Sequence, residues 1–245
     1  MVYEIGHFVK KGGVMQGWRG TVEEWLAKLP ADGRLRFVTA FSRGQLEVEL
    51  YAPKDKDTQQ PHPRDEVYVV AAGAGDYVMG NKRVKFSAGD ALFAPAGMAH
   101  RFEGFSGHFA TWVMFYGPDG GEGPDDGGAR EAEPGWQGTT GHWLAEVPDS
   151  GIRSVSAFQR GSLELKLYAP RGEDPQSPHT RDELYIVARG RGVAMIGDER
   201  QSFGPADALF VPAGMTHRFE DFTNDLAIWV MFYGPDGGEG GGEGD

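Results

Sequence analysis

The feature of this chain that most constrains its fold is a long internal repeat. Residues 44–123 align with residues 161–240 at a constant shift of 117 positions and without a gap, and 48 of the 80 aligned pairs are identical. The match continues upstream at a shift of 118, from residues 17–30 onto residues 135–148. A repeat of this length predicts two structural copies of one unit, because each copy is long enough to bury a core.

The repeat also sets the predicted domain boundaries. Copy 1 is assigned to residues 1–123 and copy 2 to residues 135–240, and these two names are kept below. Residues 124–134 between them carry glycine and acidic side chains, which is typical of a linker. Residues 241–245, with the sequence GGEGD, are predicted to form a flexible acidic tail.

Each copy has the pattern of β-strands. LEVELYA at 46–52 and its counterpart LELKLYA at 163–169 alternate apolar and polar residues, which is the period of a half-buried strand. Short strands recur roughly every ten residues between turn residues, so an all-β sandwich or barrel is expected. A few short helices are also expected. Thr21 and Glu24 form a capping box before one of them, and Thr139 or Thr140 would cap its counterpart.

Charge and composition exclude several classes of function. The net charge is −12 and the pI is about 5.0, which disfavours nucleic-acid partners and anionic membrane surfaces. The chain has no cysteine, so disulfides, thiolate metal sites and cysteine nucleophiles are ruled out. No apolar run is long enough to span a membrane and no signal peptide is recognisable, so a soluble cytoplasmic protein is expected.

Four of the seven histidines recur in both copies, whereas the other three have no histidine counterpart. A glutamate also recurs four residues after the first histidine of each copy. The shared set is His62, Glu66 and His100 in copy 1, and His179, Glu183 and His217 in copy 2. Because residues two and four apart point to the same side of a strand, the first histidine and the glutamate can project from one face.

Two imidazoles and one carboxylate on a β scaffold form a facial set of ligands that leaves coordination positions open. Such a set suits Fe(II), Mn(II), Zn(II), Ni(II) or Co(II), so the predicted cofactor is a divalent transition metal. The alternative is a buried cluster of hydrogen-bonded histidine and glutamate, left over from a metal-binding ancestor.

These segments resemble the two sequence motifs of the cupin superfamily. In the first motif, three residues separate a histidine from a glutamate, and six separate the glutamate from a glycine. In the second, a glycine, a proline, a glycine and a histidine follow at fixed intervals. The matching residues in copy 1 are His62, Glu66 and Gly73, then Gly89, Pro95, Gly97 and His100. The resemblance covers both copies and implies a bicupin, with two tandem barrels of the jelly-roll, or double-stranded β-helix, type.

Two departures from the family motifs matter. Many cupins carry a further histidine two residues before the retained one, but Gln60 and Ser177 stand at that position here. A site with three histidines and one glutamate is therefore not expected, although Gln60 could give a weak oxygen ligand and Ser177 a water-mediated one. Ala206 stands where the second motif begins with glycine, and only a small local change is expected because Asp207 keeps the turn chemistry.

Two further residue types recur beside the candidate ligands. Tyr68 and Tyr185 share the strand face of the glutamates, so they could act as catalytic acids or donors, or pack in the core with a tethered hydroxyl. Arg64 and Arg181 could bind a substrate carboxylate through the guanidinium fork. The arginines and the aspartates that follow them could instead form surface or interface salt bridges.

The leading hypothesis is a metal-dependent enzyme for a small-molecule substrate, and the ligand set favours an Fe(II)-type dioxygenase. The cupin resemblance equally implies an Mn, Zn or Ni isomerase, decarboxylase or lyase. A second hypothesis is a non-catalytic binding or sensor protein, and a third is a division of labour between one catalytic and one structural copy. Pairing of the two copies within the chain is expected to resemble an ordinary cupin dimer, and association into a homodimer is left open.

Overall fold

The structure is a computed structural model that describes residues 16–30, 36–123 and 135–240. The predicted linker at 124–134 and the predicted tail at 241–245 lie outside the described residues. Within the described ranges the chain forms eighteen strands and two short helices, which confirms the expected all-β class with a few short helices. Neither of these helices is long and apolar enough to cross a membrane.

The two copies contain the same elements in the same order. In copy 1 they are β1 (Trp18–Gly20), α1 (Val22–Leu26), β2 (Phe37–Arg43), β3 (Leu46–Tyr51), β4 (Asp65–Ala72), β5 (Ala74–Met79), β6 (Lys82–Ser87), β7 (Ala91–Ala94), β8 (His100–Glu103) and β9 (Ala110–Tyr116). In copy 2 they are β10 (Trp136–Gly138), α2 (Thr140–Glu146), β11 (Ser154–Arg160), β12 (Leu163–Tyr168), β13 (Asp182–Arg189), β14 (Gly192–Ile196), β15 (Glu199–Phe203), β16 (Ala208–Val211), β17 (His217–Glu220) and β18 (Ala227–Tyr233).

The two helices begin where the sequence predicts. The side chain of Thr21 accepts a hydrogen bond from the backbone N–H of Glu24 at the start of α1, and Thr139 caps α2 in the same way. The capping box at α1 is only half formed, because the carboxylate of Glu24 binds Lys28 at 3.1 Å.

Each copy forms a barrel in which a six-stranded sheet faces a three-stranded sheet. The strand orders are β10-β7-β4-β9-β3-β2 with β6-β5-β8, and β1-β16-β13-β18-β12-β11 with β15-β14-β17. In copy 1, Tyr68 of the larger sheet packs with Tyr77, Phe86 and Phe102 of the smaller sheet, and all four side chains are buried. This arrangement confirms the expected pair of tandem barrels.

The first strand of each copy lies in the sheet of the other copy. Strand β1 pairs with β16, which places Trp18 opposite Phe210, and β10 pairs with β7, which places Trp136 opposite Phe93. Each six-stranded sheet is therefore built from both halves of the sequence, and the two copies are paired within one chain. The predicted domain boundaries, which keep each of these strands with its own copy, stay a prediction.

The largest cluster of buried apolar residues lies between the two six-stranded sheets. It takes alternate residues from the paired central strands of both copies. They include Val67, Val69, Trp112 and Met114 in copy 1, and Leu184, Ile186, Trp229 and Met231 in copy 2. Two tryptophans form hydrogen bonds between the copies. Trp112 Nε1 donates to the Ala206 carbonyl and Trp229 Nε1 donates to the Gly89 carbonyl, both at 2.7 Å. The tryptophan, methionine and tyrosine side chains that recur on one face of the last strands are therefore core residues of the interface.

Two buried ion pairs join the copies reciprocally. Arg43 Nε donates to Asp182 at 2.6 Å, and Arg160 Nε donates to Asp65 at 2.8 Å. Both aspartate side chains are fully buried. Of the two interpretations of the aspartates, the structure therefore selects an interface salt bridge, made with arginines that the sequence pattern did not single out.

The segment FYGPDGGEG, which ends both copies at residues 115–123 and 232–240, contacts the other copy. The carboxylate of Glu122 accepts hydrogen bonds from the backbone N–H and the hydroxyl of Ser162, in the turn between β11 and β12 of the other copy. Glu239, its counterpart, accepts one from the backbone N–H of Gln45 at 3.4 Å, in the turn between β2 and β3. Each segment therefore holds a hairpin of the opposite copy.

Candidate metal centre

Each barrel brings two histidines and one glutamate together in its interior. In copy 1, Glu66 is the second residue of β4, and His62 lies in the loop before that strand. His100 begins β8, in the smaller sheet that faces β4. The alternation of β4 turns Glu66 and Tyr68 inward while Val67 points to the core between the copies. The three candidate ligand atoms lie within 4.8 Å of one another.

In copy 1, the glutamate lies between the two imidazoles. His62 Nδ1 is 2.6 Å from Glu66 Oε1, and His100 Nε2 is 3.4 Å from Glu66 Oε2. His100 Nδ1 donates to the backbone carbonyl of Met98 at 2.8 Å. This bond fixes the orientation of the imidazole and points Nε2 at the carboxylate, which is the arrangement that a metal-binding histidine requires.

Copy 2 repeats this geometry. His179 Nδ1 is 2.6 Å from Glu183 Oε1, and His217 Nε2 is 3.7 Å from Glu183 Oε2. His217 Nδ1 donates to the carbonyl of Met215 at 2.9 Å. All six residues named from the sequence as ligands are thus brought together, three in each barrel.

The electrostatics of the copy-1 site keep positive charge close to the glutamate. Burial favours the neutral acid, but the hydrogen bonds from His100 and His62 outweigh it and hold the pKa of Glu66 below its ordinary value. Burial disfavours a charged His100, but the hydrogen bond and charge of Glu66 raise its pKa above the ordinary value. The site therefore favours an ionised carboxylate next to a cation.

The tyrosine hydroxyl of copy 1 has more acceptors around it than it has protons. Tyr68 Oη donates to Glu66, and it also lies 3.2 Å from Gln59 Oε1 and 2.9 Å from His100 Nε2. The hydrogen bond from Gln59 Nε2 to Asp57 at 2.8 Å fixes the orientation of this amide, so it presents its oxygen, an acceptor, to the hydroxyl. Either a proton on His100 or a divalent cation would relieve this excess of lone pairs, so the residues present fit a metal ion.

Asp57, a buried aspartate that the sequence pattern did not single out, holds Gln59 next to the hydroxyl of Tyr68. Asp57 accepts hydrogen bonds from Tyr51 Oη at 2.7 Å, from Gln59 and from the backbone N–H of Phe102 at 2.7 Å. Copy 2 has the same network, formed by Tyr168, Asp174, Gln176, Tyr185 and Phe219. The recurrence of the aspartate and the glutamine at aligned positions of the two copies could have identified this network from the sequence.

Copy 1 has a second tyrosine near the candidate ligands. The Tyr77 ring centre lies 5.8 Å from that of Tyr68 and 6.2 Å from that of His100. Its hydroxyl is buried and has no hydrogen-bond partner among the described residues. The aligned residue of copy 2 is Ala194, so the two barrel interiors differ at this point.

A cavity opens next to the first histidine of each copy. The copy-1 cavity has a volume of about 400 Å³, and its lining includes His62, Phe115 and Glu49. The copy-2 cavity has a volume of about 350 Å³, and its lining includes His179 and Phe232. These volumes suit small-molecule ligands.

Of the other predicted site residues, Gln60 and Arg64 line the copy-1 cavity, whereas Arg181 lies outside the copy-2 cavity. Gln60 lines the copy-1 cavity, but it is exposed and its Nε2 donates to the carbonyls of Thr58 and Gln59. Arg64 also lines this cavity, with its Nε donating to the Gly117 carbonyl at 3.1 Å.

Arg181 takes a different position from that of its counterpart. It donates to the Ser162 carbonyl at 2.6 Å and pairs with Glu164 at 3.4 Å, and it lines a separate surface cleft beside Gly161. Its role as a substrate-binding residue, like the roles of Arg64 and Gln60, stays a prediction.

Comparison with known proteins adds a family and a set of related folds. Residues 47–116 and 165–233 match the family model described as the cupin domain. A cupin 2 conserved barrel domain protein from Leptotrichia buccalis superposes with a TM-score of 0.65 at 15% identity, over 93% of this chain and 100% of that chain. Salicylate 1,2-dioxygenase from Pseudaminobacter salicylatoxidans superposes with a TM-score of 0.69 at 13% identity, over 89% of this chain and 83% of that chain.

A curated relative is similar over a shorter stretch. An uncharacterized protein of Streptomyces coelicolor is 36% identical over 63 residues, which is 26% of this chain. The matched region spans 60% of that relative's length. At their low identities, the similarity to the solved structures shows the fold alone.

Proposed function

Since the chain belongs to the cupin domain family, we propose that it is a metal-dependent enzyme acting on a small molecule, with one divalent transition metal in each barrel. His62, Glu66 and His100 would hold the metal in copy 1, and His179, Glu183 and His217 in copy 2. Within this proposal, we favour an Fe(II)-type dioxygenase, because two histidines and one carboxylate form the facial ligand set of such enzymes.

A single observation carries the proposal. In both copies, an imidazole from a loop and a carboxylate and an imidazole from two facing sheets converge within 4.8 Å, next to a cavity large enough for a small ligand. Two copies that share only part of their sequence keep this set, whereas their other histidines differ. The fold similarity to salicylate 1,2-dioxygenase is compatible with oxygenase chemistry and is not needed for the metal site.

The side chains of this chain have distinct parts in the proposed activity. The metal, when bound, would supply Lewis-acid polarisation of a chelated substrate and, if it is iron, a centre for oxygen chemistry. Tyr68 and Tyr185 would donate a hydrogen bond to the substrate, because burial and the charge of the adjacent glutamate raise their pKa well above the ordinary value and keep the hydroxyl groups protonated. Phe115 and Phe232, which contact the first histidines, would shield the substrate from water.

Element analysis of protein purified without a histidine tag tests the proposal. We expect near-stoichiometric occupancy of both barrels by one transition metal, and the variants His100→Gln and His217→Gln should each lose about half of the bound metal, since each removes one ligand from one site. Small acids, diketones and sugars would then be screened for metal-dependent turnover and oxygen uptake.

The outcomes separate an enzyme from a binding protein. Metal-dependent turnover that disappears after chelation supports the enzyme. A protein that keeps its fold and its ligand affinity after chelation would instead be a binding or sensor module. If neither barrel retains metal after reconstitution with Fe(II), Mn(II), Zn(II), Ni(II) or Co(II), the proposal is wrong, and the triads are hydrogen-bonded clusters only.

A further inference from the structure

The mouths of the two cavities differ in charge at one pair of aligned positions. Glu49 of β3 lines the copy-1 cavity, and the aligned residue in copy 2 is Lys166 of β12, which lines the copy-2 cavity. Glu49 pairs with Val113 of β9, and Lys166 pairs with Val230 of β18. An acidic and a basic side chain therefore occupy the same structural position in two otherwise similar barrels.

A second acidic side chain lies beside Glu49 in copy 1. Glu47 lines the same cavity, and burial together with this neighbour raises the pKa of Glu49 to about 8. Arg64 also contributes to the lining, but its Nε donates to the Gly117 carbonyl and its Nη2 is shielded from solvent. Because its pKa is about 8, Glu49 is mainly protonated at neutral pH, so the copy-1 mouth has no cation at the position that Lys166 holds in copy 2.

The copy-2 mouth presents an ammonium group close to the candidate ligands. Lys166 Nζ lies 5.1 Å from the centre of the Phe232 ring, and this ring centre lies 5.1 Å from that of His179. The negative charge of Glu164 is shared between Lys166 at 3.3 Å and Arg181 at 3.4 Å. A ligand that binds beside His179 would therefore meet the positive charge of Lys166.

We propose that Lys166 makes the copy-2 cavity selective for small carboxylates, whereas the copy-1 cavity, with Glu49 at this position and Glu47 beside it, favours neutral or cationic ligands. The inference rests on the proposed function, since it takes the ligand to bind beside the metal. One chain would then hold two related sites for ligands of different charge. Coulomb energies for unit charges a few ångströms apart at a protein surface correspond to about a tenfold change in affinity.

Three probes of matched shape test this selectivity. Mandelate, mandelamide and protonated 2-amino-1-phenylethanol share a phenyl ring and a hydroxyl group but carry negative, zero and positive charge. Titration calorimetry of the metal-loaded full chain should give one mandelate per chain. Lys166→Glu should weaken mandelate binding by at least about tenfold and leave mandelamide binding unchanged, and Glu49→Lys should create a second mandelate site.

Matched neutral variants separate charge from shape. Lys166→Met should weaken mandelate binding less than Lys166→Glu does. Glu49→Gln should create no second mandelate site, because Glu49 is mainly protonated at neutral pH and the substitution adds no positive charge. Circular dichroism and metal content of every variant check that the fold and the sites persist. Equal mandelate affinity in the wild type and Lys166→Glu would overturn the inference, as would two equal mandelate sites in the wild type, or no binding of any probe at millimolar concentration while metal is bound.

The same titrations after chelation distinguish the two proposals. If selectivity for mandelate persists in protein that never binds metal, the metal site is wrong but the assignment of charge selectivity holds. If metal binds to both barrels and the three probes do not discriminate between the copies, the metal site holds but the assignment of charge selectivity is wrong.

Discussion

At the scale of single residues, the protonation state of the tyrosine beside the candidate ligands determines which hydrogen bonds it can make. Burial and the nearby carboxylates raise the pKa of Tyr68 well above its ordinary value, so this hydroxyl keeps its proton and acts only as a donor or a neutral acceptor. Glu66 receives this proton in a hydrogen bond, while Gln59 and Asp57 hold the hydroxyl in place. A protonated hydroxyl does not compete as an anion for a metal, and under the proposed function it would donate a hydrogen bond to the bound ligand.

Replacing Tyr68 by phenylalanine tests this assignment. We expect Tyr68→Phe to retain metal in both barrels, because the three ligand side chains are untouched. The free energy of unfolding of the metal-free protein should fall by about 1 kcal/mol, since the carboxylate of Glu66 loses a hydrogen-bond donor. Turnover at the copy-1 site should fall by about 100-fold if the hydroxyl donates a hydrogen bond to the reacting substrate. Tyr185→Phe is the matched control in copy 2, and loss of metal from Tyr68→Phe would identify the tyrosine as a ligand instead.

The raised pKa of Glu49 predicts how stability depends on pH. The folded protein holds this proton up to about pH 8, whereas the unfolded chain releases it near the ordinary value of 4.5. The folded state therefore binds more protons between these values, so the free energy of unfolding of metal-free protein should fall as pH rises from about 5 to 8. Urea denaturation of chelator-treated protein at several pH values measures this slope.

Glu49→Gln should flatten the slope and make the protein more stable than the wild type above about pH 8. Lys166→Gln, at the matched position of copy 2, removes no carboxyl group and should keep the wild-type slope. An unchanged slope in Glu49→Gln would contradict the assignment of the proton to this carboxyl.

The sequence predicted the candidate metal ligands, but it did not predict the residues that form hydrogen bonds around them. His62, Glu66 and His100 were identified because their types recur in copy 2 and resemble a known motif. Asp57 recurs as well, but it lies in a loop without periodicity, so no pattern indicated that its carboxylate faces the barrel interior. Arg64 and Arg181 occupy equivalent positions in the sequence and yet bind different partners, because Arg181 pairs with a glutamate and Arg64 does not.

At the scale of elements, the turn before β7 and its counterpart before β16 have the same backbone conformation, although one contains glycine and the other alanine at the aligned position. Gly89 has a φ of 90°, and Ala206 at the aligned position has a φ of 67°. Both carbonyl oxygens accept the indole hydrogen bond from the other copy, and both N–H groups donate into the adjacent strand. The sequence correctly predicted that the turn is kept with alanine in place of glycine. Ala206 adopts the left-handed conformation there, which is unfavourable for a residue with a Cβ atom.

Ala206→Gly should stabilise the protein. A left-handed conformation costs a non-glycine residue about 1–2 kcal/mol, and the greater freedom of glycine in the unfolded chain offsets about half of that gain. We expect the free energy of unfolding to rise by about 0.5–1 kcal/mol, measured by chemical denaturation. The reverse change, Gly89→Ala, should destabilise, because its Cβ would lie 3.3 Å from both the Ala188 carbonyl and Thr140 Oγ1. A loss of stability in Ala206→Gly would show that the alanine methyl group makes compensating contacts.

At the scale of the whole molecule, the two copies share one core and exchange strands. The sequence predicted two barrels because the repeat is long and strongly patterned. It did not predict that β1 and β10 are exchanged, because a three-residue strand satisfies the same hydrophobic pattern in either sheet. The reciprocal ion pairs escaped prediction for a similar reason, since Arg43 and Arg160 end strands whose orientation towards the other copy has no local signature.

The shared core predicts that the two copies unfold together. Arg160→Ala should lower the free energy of unfolding by about 3 kcal/mol, because it leaves the buried carboxylate of Asp65 without its cation. Arg43→Ala should give a similar loss through Asp182. Scanning calorimetry should show a single transition in the wild type and in both variants, since each pair joins the two barrels. Lys85→Ala breaks an exposed ion pair with Asp76 and should cost less than about 1 kcal/mol. Two separate transitions, with only one shifted in each arginine variant, would show that the barrels are independent and that the buried pairs stabilise one copy at a time.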